Sequence, residues 1–359
     1  MAERMLMKGN EVIAEAAIRA GCRHYFGYPI TPQTEIAHYM AKKMPEVGGT
    51  FVQAESEIAA ANMVYGAAGA GARAMTSSSS PGISLKQECM SYMACGELPA
   101  VVVNIMRCGP GLGGILAAQG DYFQAVKGGG HGDYRNVVYA PNNLQELYEL
   151  TVEAFNVADR YRVVAVILGD GMLGQMMEAV AFRDKEPIER GDLSWATTGS
   201  GLKRPHNVIT SIDTIPERLE AINMRLQEKY RRIENNETRV ELYGCLGAQI
   251  VITAFGTVSR IVKNVIDDAR KEGIRVGLLR PITLWPFPSW AIRTFADAAP
   301  PEGPSAFLSV ELNAGQMVED VKLAVEGKKP VHFIGRMGGM APTQSEIVAK
   351  IKSILGSGT

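Results

Sequence analysis

The segment Gly27–Pro32, which reads Gly-Tyr-Pro-Ile-Thr-Pro, has the residue types of a rigid loop that presents hydrogen-bond donors. It follows a short apolar stretch that is typical of a strand. Pro29 and Pro32 fix the backbone φ on either side of Thr31 and remove two backbone donors, so neither a strand nor a regular helix can continue through them. The loop therefore offers the hydroxyl and the N–H of Thr31 at the end of a strand, although an ordinary turn threonine fits the same pattern.

Glu57 and Arg107 are charged residues placed where a buried element begins or ends. Glu57 lies in the first turn of a predicted alanine-rich helix, and the helix dipole alone favours a glutamate there. Arg107 follows the apolar, β-branched strand 101–105, so its guanidinium is expected to emerge at the carboxyl end of that strand. A fixed cation there can bind a carboxylate and stabilise developing negative charge. A solvated strand-end arginine is the structural alternative.

Three further motifs are weaker. Gly109–Gly114 fits G-x-G-x-x-G, but it lies outside the first βαβ unit and a poor helix follows it, which favours a flexible loop near a ligand over a dinucleotide site. Gly169–Gly171 fits the start of a magnesium–diphosphate signature, but the next asparagine, Asn207, lies too far downstream, so a strand-to-loop acid is favoured. The Ser77–Ser80 run predicts either a turn held by side-chain bonds or a ligand-facing turn.

The composition argues against several classes of partner. The chain has 359 residues, with 37 Lys and Arg against 38 Asp and Glu, so its net charge of −1 gives no electrostatic case for binding nucleic acid or an anionic membrane. No apolar run approaches the roughly 18–20 residues of a membrane span, and the N-terminus lacks the apolar core of a signal peptide. With 46% apolar residues, the chain is expected to be a globular cytoplasmic protein with a substantial core.

The cysteines give no metal-binding pattern. None forms a C-x-x-C pair or stands beside a histidine at ligand spacing, so we expect no metal on this chain, neither an iron–sulfur cluster nor a structural zinc. Buried free thiols are the favoured interpretation, and any electron transfer must then use the metal centres of a partner. The five cysteines are Cys22, Cys89, Cys95, Cys108 and Cys245.

Alternating strands and helices must position these residues. Up to about residue 169, apolar runs alternate with helical patterns, which predicts parallel βαβ units with helices on both faces of a sheet. The predicted strands are 24–27, 50–53, 74–77, 101–105 and 163–168, and the predicted helices are 10–20, 33–43, 55–70, one ending at 95 and one capped by Asn143 that ends near 161.

A second α/β block follows a polar connecting arm. The arm carries a charged helix over about 217–234, and the second block has predicted strands at 251–255, 276–279, 307–311 and 331–334. We therefore expect two doubly wound, mostly parallel α/β domains. The predicted boundaries are 1–183 for the first domain, 184–246 for the connecting arm and 247–359 for the second domain.

Over nearly its whole length the chain resembles the subunit that carries the pyrimidine-binding domain of 2-oxoacid:ferredoxin oxidoreductases. The likeness is greatest to the branched-chain (2-oxoisovalerate) enzymes, with the 2-oxoglutarate enzymes next. The shared motifs occur in family order and are GYPITP (27–32), QAESEIAAANMVYGAAGAGARAMTSSSSPGISL (53–85), GELP (96–99), KGGGHGDYR (127–135), ILGDGMLGQMMEAV (167–180), LLRPITLWPFP (278–288), VELNAGQM (310–317) and FIGRMGGM (333–340).

The resemblance implies oxidative decarboxylation of a 2-oxoacid with coenzyme A, giving acyl-CoA and CO2 and passing electrons to ferredoxin. Thiamine diphosphate would lie between residues 1–183, the pyrimidine-binding domain, and a separate diphosphate-binding subunit that also holds Mg2+. The [4Fe-4S] clusters would sit on partner subunits, which include a gamma-type subunit and a ferredoxin-like iron–sulfur subunit, in a dimer of hetero-oligomers. Residues 247–359 would form a transketolase C-terminal-like domain with a role in structure and assembly.

The resemblance also implies roles for single residues. Glu57 would hydrogen-bond to N1′ of the aminopyrimidine, which lets the cofactor's own 4′-imino nitrogen remove the C2 proton. The neighbouring Glu55 is the rival carboxylate and is expected to be structural. Thr31 and Arg107 would bind the substrate carboxylate and act in catalysis together with Glu57. Further contacts to the cofactor would come from Pro29, Ile30 and Ser79.

Other interpretations stay open on the sequence. A thiamine enzyme of the transketolase or NAD-linked 2-oxoacid dehydrogenase type shares this architecture, and a non-catalytic Rossmann-like subunit could use Gly109–Gly114. Lys127–Arg135 is expected to lie near the site or at a subunit contact, with His131 favoured as structural over a proton shuttle. The sequence does not fix the preferred 2-oxoacid, the subunit stoichiometry, the direction of flux or the electron acceptor.

Overall fold

The computed structural model describes residues 4–356, and its larger sheet has seven strands. Its strands are β2 (His24–Gly27), β3 (Thr50–Gln53), β4 (Ala74–Ser78), β5 (Ala100–Met106), β6 (Val137–Tyr139), β7 (Val164–Asp170) and β12 (Thr283–Trp285). They lie in the order β12-β6-β7-β5-β4-β2-β3, and all are parallel except β12. The central strands β5 and β7 are buried along their whole length, as their mostly apolar sequences predict.

Helices connect these strands and cover the sheet. Helix α3 begins at Glu57, two residues later than predicted, because Ser56 caps it by accepting a backbone N–H at 3.2 Å. Helix α6 begins after Asn143, which accepts the N–H of Glu146 at 2.9 Å as the capping pattern predicts. The helices of this block are α1 (Gly9–Arg19), α2 (Thr34–Lys43), α3 (Glu57–Gly69), α4 (Ser80–Cys95), α5 (Tyr122–Val126), α6 (Leu144–Tyr161) and α7 (Gly171–Gln175), with a short 3₁₀ helix at Pro45–Val47.

The second block is a five-stranded sheet in the order β14-β13-β10-β11-β9, with β9 antiparallel at one edge. Its strands are β9 (Val240–Tyr243), β10 (Ile250–Thr253), β11 (Val276–Pro281), β13 (Ala306–Glu311) and β14 (Val331–Gly335). The remaining helices are α8 (Pro216–Glu237), α9 (Val258–Lys271), α10 (Ser289–Asp297), α11 (Met317–Val325) and α12 (Gln344–Gly356). The fold is therefore two doubly wound, mostly parallel α/β domains, as the sequence predicts. Within residues 4–356, no helix has both the length and the apolar character to cross a membrane.

Two strands pair across the predicted domain boundaries, which themselves stay a prediction. Strand β12 lies within 247–359 but pairs with β6 of the first sheet. Strand β9 lies within the predicted arm, 184–246, but pairs with β11 of the second sheet. A separate antiparallel pair, β1 (Arg4–Lys8) with β8 (Met177–Ala181), is also absent from the sequence-based prediction. Local patterns miss these pairings because the partners lie far apart along the chain.

Buried polar contacts join the carboxyl edges of the two sheets. The side chain of Gln119, in the loop after β5, donates to the carbonyl of Phe255 at 2.8 Å and accepts the N–H of Leu312 at 3.0 Å. Phe255 follows β10 and Leu312 follows β13. The guanidinium of the buried Arg280 binds both carboxylate oxygens of Glu146, at 2.6 and 3.0 Å. The loop that follows β5 is thus held between the two blocks.

Candidate active site

The predicted site residues gather at the carboxyl edge of the first sheet. Thr31 follows β2, Glu57 follows β3, Ser79 separates β4 from α4, and Arg107 directly follows β5. These strands are consecutive neighbours in the sheet, so the loops that leave them converge. In open α/β sheets this is the edge at which ligands bind.

Glu57 is a buried acid whose carboxylate oxygens have no hydrogen-bond partner among residues 4–356. It is the first residue of α3 and is 7% exposed, whereas Glu55 is exposed. Gly82, in the first turn of α4, approaches so closely that a Cβ at this position would lie 2.6 Å from Oε1 of Glu57. Buried charges in proteins are normally paired or hydrogen-bonded. Glu57 is therefore a buried carboxylate that is available to a ligand.

Lys86 lies beneath Glu57 and was missed by the sequence analysis. It has no exposed surface, and its Nζ donates to the carbonyl oxygen of Glu57 at 3.3 Å and to Oγ1 of Thr76 at 3.0 Å. Burial lowers the pKa of Lys86 to about 8, while the nearby charge of Glu57 opposes that shift. The available sequence signal was its spacing, because Lys86 falls three residues after Ile83 and four before Met90 on the apolar face of α4.

The serine run Ser77–Ser80, at the end of β4, divides into two pairs. The hydroxyl of Ser77 bonds to two buried side chains, and that of Ser80 donates to the carboxylate of Asp121 at 2.6 Å. The hydroxyls of Ser78 and Ser79 are buried and have no partner in the part of the chain that the structure describes. The turn is thus held by its outer serines and leaves its inner two hydroxyls uncommitted.

Asp121 is a second buried acid that the sequence analysis missed. Its carboxylate accepts hydrogen bonds from Ser80 and from Asn104, the latter at 2.8 Å, and burial raises its pKa although both bonds lower it. It lines a cavity of about 660 Å³ between the two blocks, together with Arg107 and Asn313. A lone aspartate before a short helix resembles an ordinary cap, so only its position in the fold distinguishes it.

Arg107 is buried and held against the loop that contains Thr31. Its side chain is 8% exposed, and it donates to the carbonyl oxygens of Thr31 at 2.9 Å and Leu112 at 3.1 Å. Its Nε is buried without a partner among residues 4–356. The structural alternative of a solvated arginine is therefore wrong, because this guanidinium is desolvated and retains a free donor.

Thr31 itself is exposed and lines a second cavity beside the first. This cavity has a volume of about 610 Å³, and its apolar wall includes Ile115, Leu116 and Met172. Of the other predicted cofactor contacts, Pro29 is exposed and Ile30 is half-buried, both in the same loop. The structure thus brings Thr31 and Arg107 into direct contact and places Glu57 and Ser79 at the neighbouring strand ends; their roles stay predictions.

The acid of Gly169–Gly171 is committed to the protein itself. Asp170 accepts the N–H groups of Met172 and Leu173, both at 3.0 Å, and so caps helix α7. Its other oxygen accepts the hydroxyl of Thr257 from the second block. These contacts match the interpretation of a strand-to-loop acid at a domain edge.

The glycine-rich loop after β5 does not lead directly into a helix. Residues 109–114 are followed by further loop, and the next helix is the five-residue α5. The turn needs glycine at position 113, where φ is +59° and a Cβ would collide with the carbonyl of Cys108. A dinucleotide fingerprint requires a helix N-terminus at this point, so the structure argues against a dinucleotide site here; the flexibility of the loop stays a prediction.

The 127–135 segment packs along the second half of α4, from Gln87 onwards, and His131 lies near the end of that helix. The carbonyl of His131 accepts the hydroxyl of Ser91 at 2.6 Å, and its ring meets the edge of Tyr92 at 5.9 Å. Gly82, which touches Glu57, lies nine residues before Ser91 on the same helix, which places the two residues about 13 Å apart along the helix axis. This separation favours the structural interpretation of His131.

Two family models match the chain in succession. Residues 15–242 match the thiamine-diphosphate-binding domain of pyruvate flavodoxin/ferredoxin oxidoreductases. Residues 248–347 match core domain II of pyruvate:ferredoxin oxidoreductase. Together they cover both blocks of the fold.

Individual relatives agree with these models. The chain is 52% identical over 351 residues to the ketoisovalerate oxidoreductase subunit VorB of Methanothermobacter marburgensis, a match that covers 98% of each chain. It is 35% identical over 377 residues to the 2-oxoglutarate synthase subunit KorA of Methanothermobacter thermautotrophicus, covering 98% of this chain and 99% of that one.

A solved structure shares the whole fold. The 2-oxoglutarate:ferredoxin oxidoreductase of Magnetococcus marinus, with 2-oxoglutarate, coenzyme A and succinyl-CoA bound, superposes with a TM-score of 0.87 at 26% identity. The match covers 98% of this chain and 65% of the solved chain, which is therefore considerably longer.

Proposed function

Because this chain belongs to the 2-oxoacid:ferredoxin oxidoreductase family, we propose that it is the subunit of a branched-chain enzyme that binds the aminopyrimidine end of thiamine diphosphate. The proposed reaction is the coenzyme A-dependent oxidative decarboxylation of 3-methyl-2-oxobutanoate to acyl-CoA and CO2, with electrons passed to ferredoxin. The 52% identity to a ketoisovalerate oxidoreductase subunit, against 35% to a 2-oxoglutarate synthase subunit, supports the branched-chain substrate.

The observation that carries this proposal is the buried, uncommitted carboxylate of Glu57. The hydroxyls of Ser78 and Ser79, which have no partner among residues 4–356, lie at the end of β4, and Gly82 leaves no Cβ in front of the acid. These groups fit a planar, nitrogen-rich ring. When bound, thiamine diphosphate supplies a carbon nucleophile for the 2-oxo carbon and accepts the electron pair released with CO2.

Glu57 holds the ring and the proton on its N1′. An ionised carboxylate that accepts a hydrogen bond from a ring N–H favours the protonated ring, and the interaction is strong where water is excluded. Ser79 and the loop residues Pro29 and Ile30 orient the ring. Glu57 is thus the residue of this chain that we assign to cofactor activation.

Arg107 and Thr31 bind and orient the substrate carboxylate. The unpaired Nε of Arg107 and the exposed hydroxyl of Thr31 are donors at adjoining positions, because the guanidinium already contacts the Thr31 carbonyl. A preorganised cation of this kind can also stabilise charge that develops as the 2-oxo group is attacked.

The cavity beside Thr31 supports an aliphatic acyl chain. Its apolar wall of Ile115, Leu116 and Met172 suits a branched chain, and Glu35 is its one charged residue among those the structure describes. A second substrate carboxylate, as in 2-oxoglutarate, would face that negative charge. Assays of the assembled enzyme with a panel of oxoacids should give a higher kcat/KM for branched-chain substrates, and a preference for 2-oxoglutarate would contradict the substrate assignment.

The remaining components belong to partner subunits. The two carboxylate oxygens of Asp170 are engaged within this chain, which supports a diphosphate and Mg2+ site on a separate subunit. We propose a gamma-type subunit and a ferredoxin-like subunit with [4Fe-4S] clusters as the other partners, in a cytoplasmic dimer of hetero-oligomers, with coenzyme A as co-substrate. Iron–sulfur absorbance in the purified complex would distinguish it from a transketolase or an NAD-linked dehydrogenase.

The direct test is Glu57→Gln in the assembled enzyme. Glutamine keeps the shape of the side chain but removes its charge, so oxoacid-dependent dye reduction should be abolished while the subunits still assemble. Glu55→Gln is the matched control, because Glu55 is exposed and two residues away. Near-normal turnover of Glu57→Gln would refute the proposed role.

A further inference from the structure

We propose that Lys86 is a positioning residue for Glu57: it holds the start of α3 and supplies the buried positive charge that keeps the Glu57 carboxylate ionised against the aminopyrimidine ring. This inference rests on the proposed role of Glu57. It assigns a function to a lysine that lies behind the site, on the side of Glu57 that faces the protein interior.

Three elements meet at the ammonium group of Lys86. Lys86 belongs to α4, Thr76 to β4 and Glu57 to α3. The two hydrogen bonds of the Lys86 Nζ therefore link β4 and α3 to α4. Gly82 stands one helical turn before Lys86 and touches the Glu57 side chain itself. One face of α4 therefore contacts Glu57 twice, at the carboxylate through Gly82 and at the backbone through Lys86.

The charges around Lys86 leave Glu57 as its counterion. The titratable groups that act on Lys86 are Glu57 on α3 and Cys89 on its own helix. Burial raises the pKa of the Cys89 thiol to about 12, so this thiol is neutral near pH 7. An ammonium has three donors, and two of them are engaged in these bonds.

A bound ring makes this charge necessary. An aromatic ring that covers Glu57 removes its last contact with water, and desolvation favours the protonated acid. A protonated Glu57 could no longer hold the proton on the ring nitrogen. A positive charge beneath the carboxylate opposes this effect, because charges interact strongly in an interior of low dielectric constant.

The experiment measures equilibrium binding of thiamine diphosphate to the reconstituted complex across a range of pH. Lys86→Met replaces the ammonium with an apolar chain of similar length. The matched control is Lys229→Met, since Lys229 is also a buried lysine but pairs with Glu97, at 3.0 Å. Glu57→Gln and the double variant Lys86→Met/Glu57→Gln complete a double-mutant cycle.

We expect Lys86→Met to bind thiamine diphosphate about ten-fold more weakly at neutral pH. As the solution is acidified, Lys86→Met should lose its affinity for thiamine diphosphate at a higher pH than the wild type does. The affinities of the variant and the wild type should converge above the pKa of Lys86, about 8. In the Glu57→Gln background, Lys86→Met should have no further effect.

Each other outcome has a separate meaning. An affinity of Lys86→Met equal to that of Lys229→Met, or an equal loss in the Glu57→Gln background, would overturn the inference while leaving the role of Glu57 intact. If Glu57→Gln itself binds normally, the proposed function fails first. Should Lys86→Met not assemble, Thr76→Val removes one anchor of the ammonium and should give a smaller, Glu57-dependent loss; no loss would overturn the inference.

Discussion

Two buried glutamates, one in each block, stand at the start of a helix beside a strand end, and they are used in opposite ways. Glu311 ends β13 and has no exposed surface. Its carboxylate accepts the N–H groups of Gln316, Met317 and Val318 and the hydroxyl of Ser309, at 2.8–3.1 Å. Glu57, in the first block, receives no such bond within residues 4–356.

The comparison separates a structural acid from a functional one. A buried charge is costly, and Glu311 offsets this cost with four hydrogen bonds, three of them from the start of α11. Glu57 accepts no hydrogen bond at its carboxylate within residues 4–356, and the buried ammonium of Lys86 is a nearby positive charge. Hydrogen-bond satisfaction thus distinguishes the two acids better than burial or position does.

The largest effect we predict is on catalysis by Glu57→Gln. Turnover should fall by about 10²–10⁴-fold, the usual contribution of a positioned acid or base. The free energy of unfolding of the full chain should change less than in Glu311→Gln, because no hydrogen bond to the carboxylate is lost and only the counterion of Lys86 is removed. Denaturant titration measures this, and a large destabilisation would erase the contrast with Glu311.

Glu311→Gln should give the reverse pattern. The amide keeps one acceptor oxygen but turns an N–H donor towards other donors, so the unfolding free energy should fall by about 3 kcal/mol. Turnover per assembled enzyme should stay near that of the wild type. Loss of turnover at full stability would mean that the second block takes part in the chemistry.

Because Lys86 is buried, we predict that the free energy of unfolding depends on pH with a definite sign. Its pKa is about 8 in the folded chain against 10.5 normally, so between these values the unfolded chain binds more protons and the wild type gains stability as the pH rises. The difference in unfolding free energy between wild type and Lys86→Met should therefore move by about 3 kcal/mol in favour of the wild type from pH 8 to 10.5. Parallel stability curves would show that the ammonium is not desolvated.

Arg107→Ala should affect catalysis less than Glu57→Gln does. KM should rise and kcat should fall, lowering kcat/KM by about 10–100-fold, because the contact strengthens as charge develops in the transition state. Steady-state kinetics of the assembled complex measures both constants. A change in thermal stability alone would make Arg107 part of the scaffold, as Glu311 is.

The sequence predicted the part of the site that depends on strand ends. Thr31, Glu57 and Arg107 each follow an apolar run, and parallel strands bring such positions to one edge. Lys86 was missed because lysine is rarely buried, so composition assigns it to the surface. Asp121 was missed because its partners, Ser80 and Asn104, lie far from it along the chain, and Glu311 because it resembles an ordinary strand-end acid.

For the fold, too, the elements with a local sequence pattern were predicted and the pairings between distant segments were not. The longer parallel strands and their helices carry strong local periodicity, and the structure places them within a few residues of the predicted bounds, whereas the three-residue parallel strand β6 was not predicted. The pairings of β12 with β6 and of β9 with β11 depend on register between distant segments, which periodicity does not encode.

The pairing of β12 with β6 interlocks the two blocks instead of joining them end to end. A gene break between β9 and β10 would give one product with β6 as an open sheet edge and another that carries the matching strand. Such products should recombine when they are made together and aggregate when they are made alone. A lineage could divide this gene in two, but it could not easily exchange one half for a foreign one.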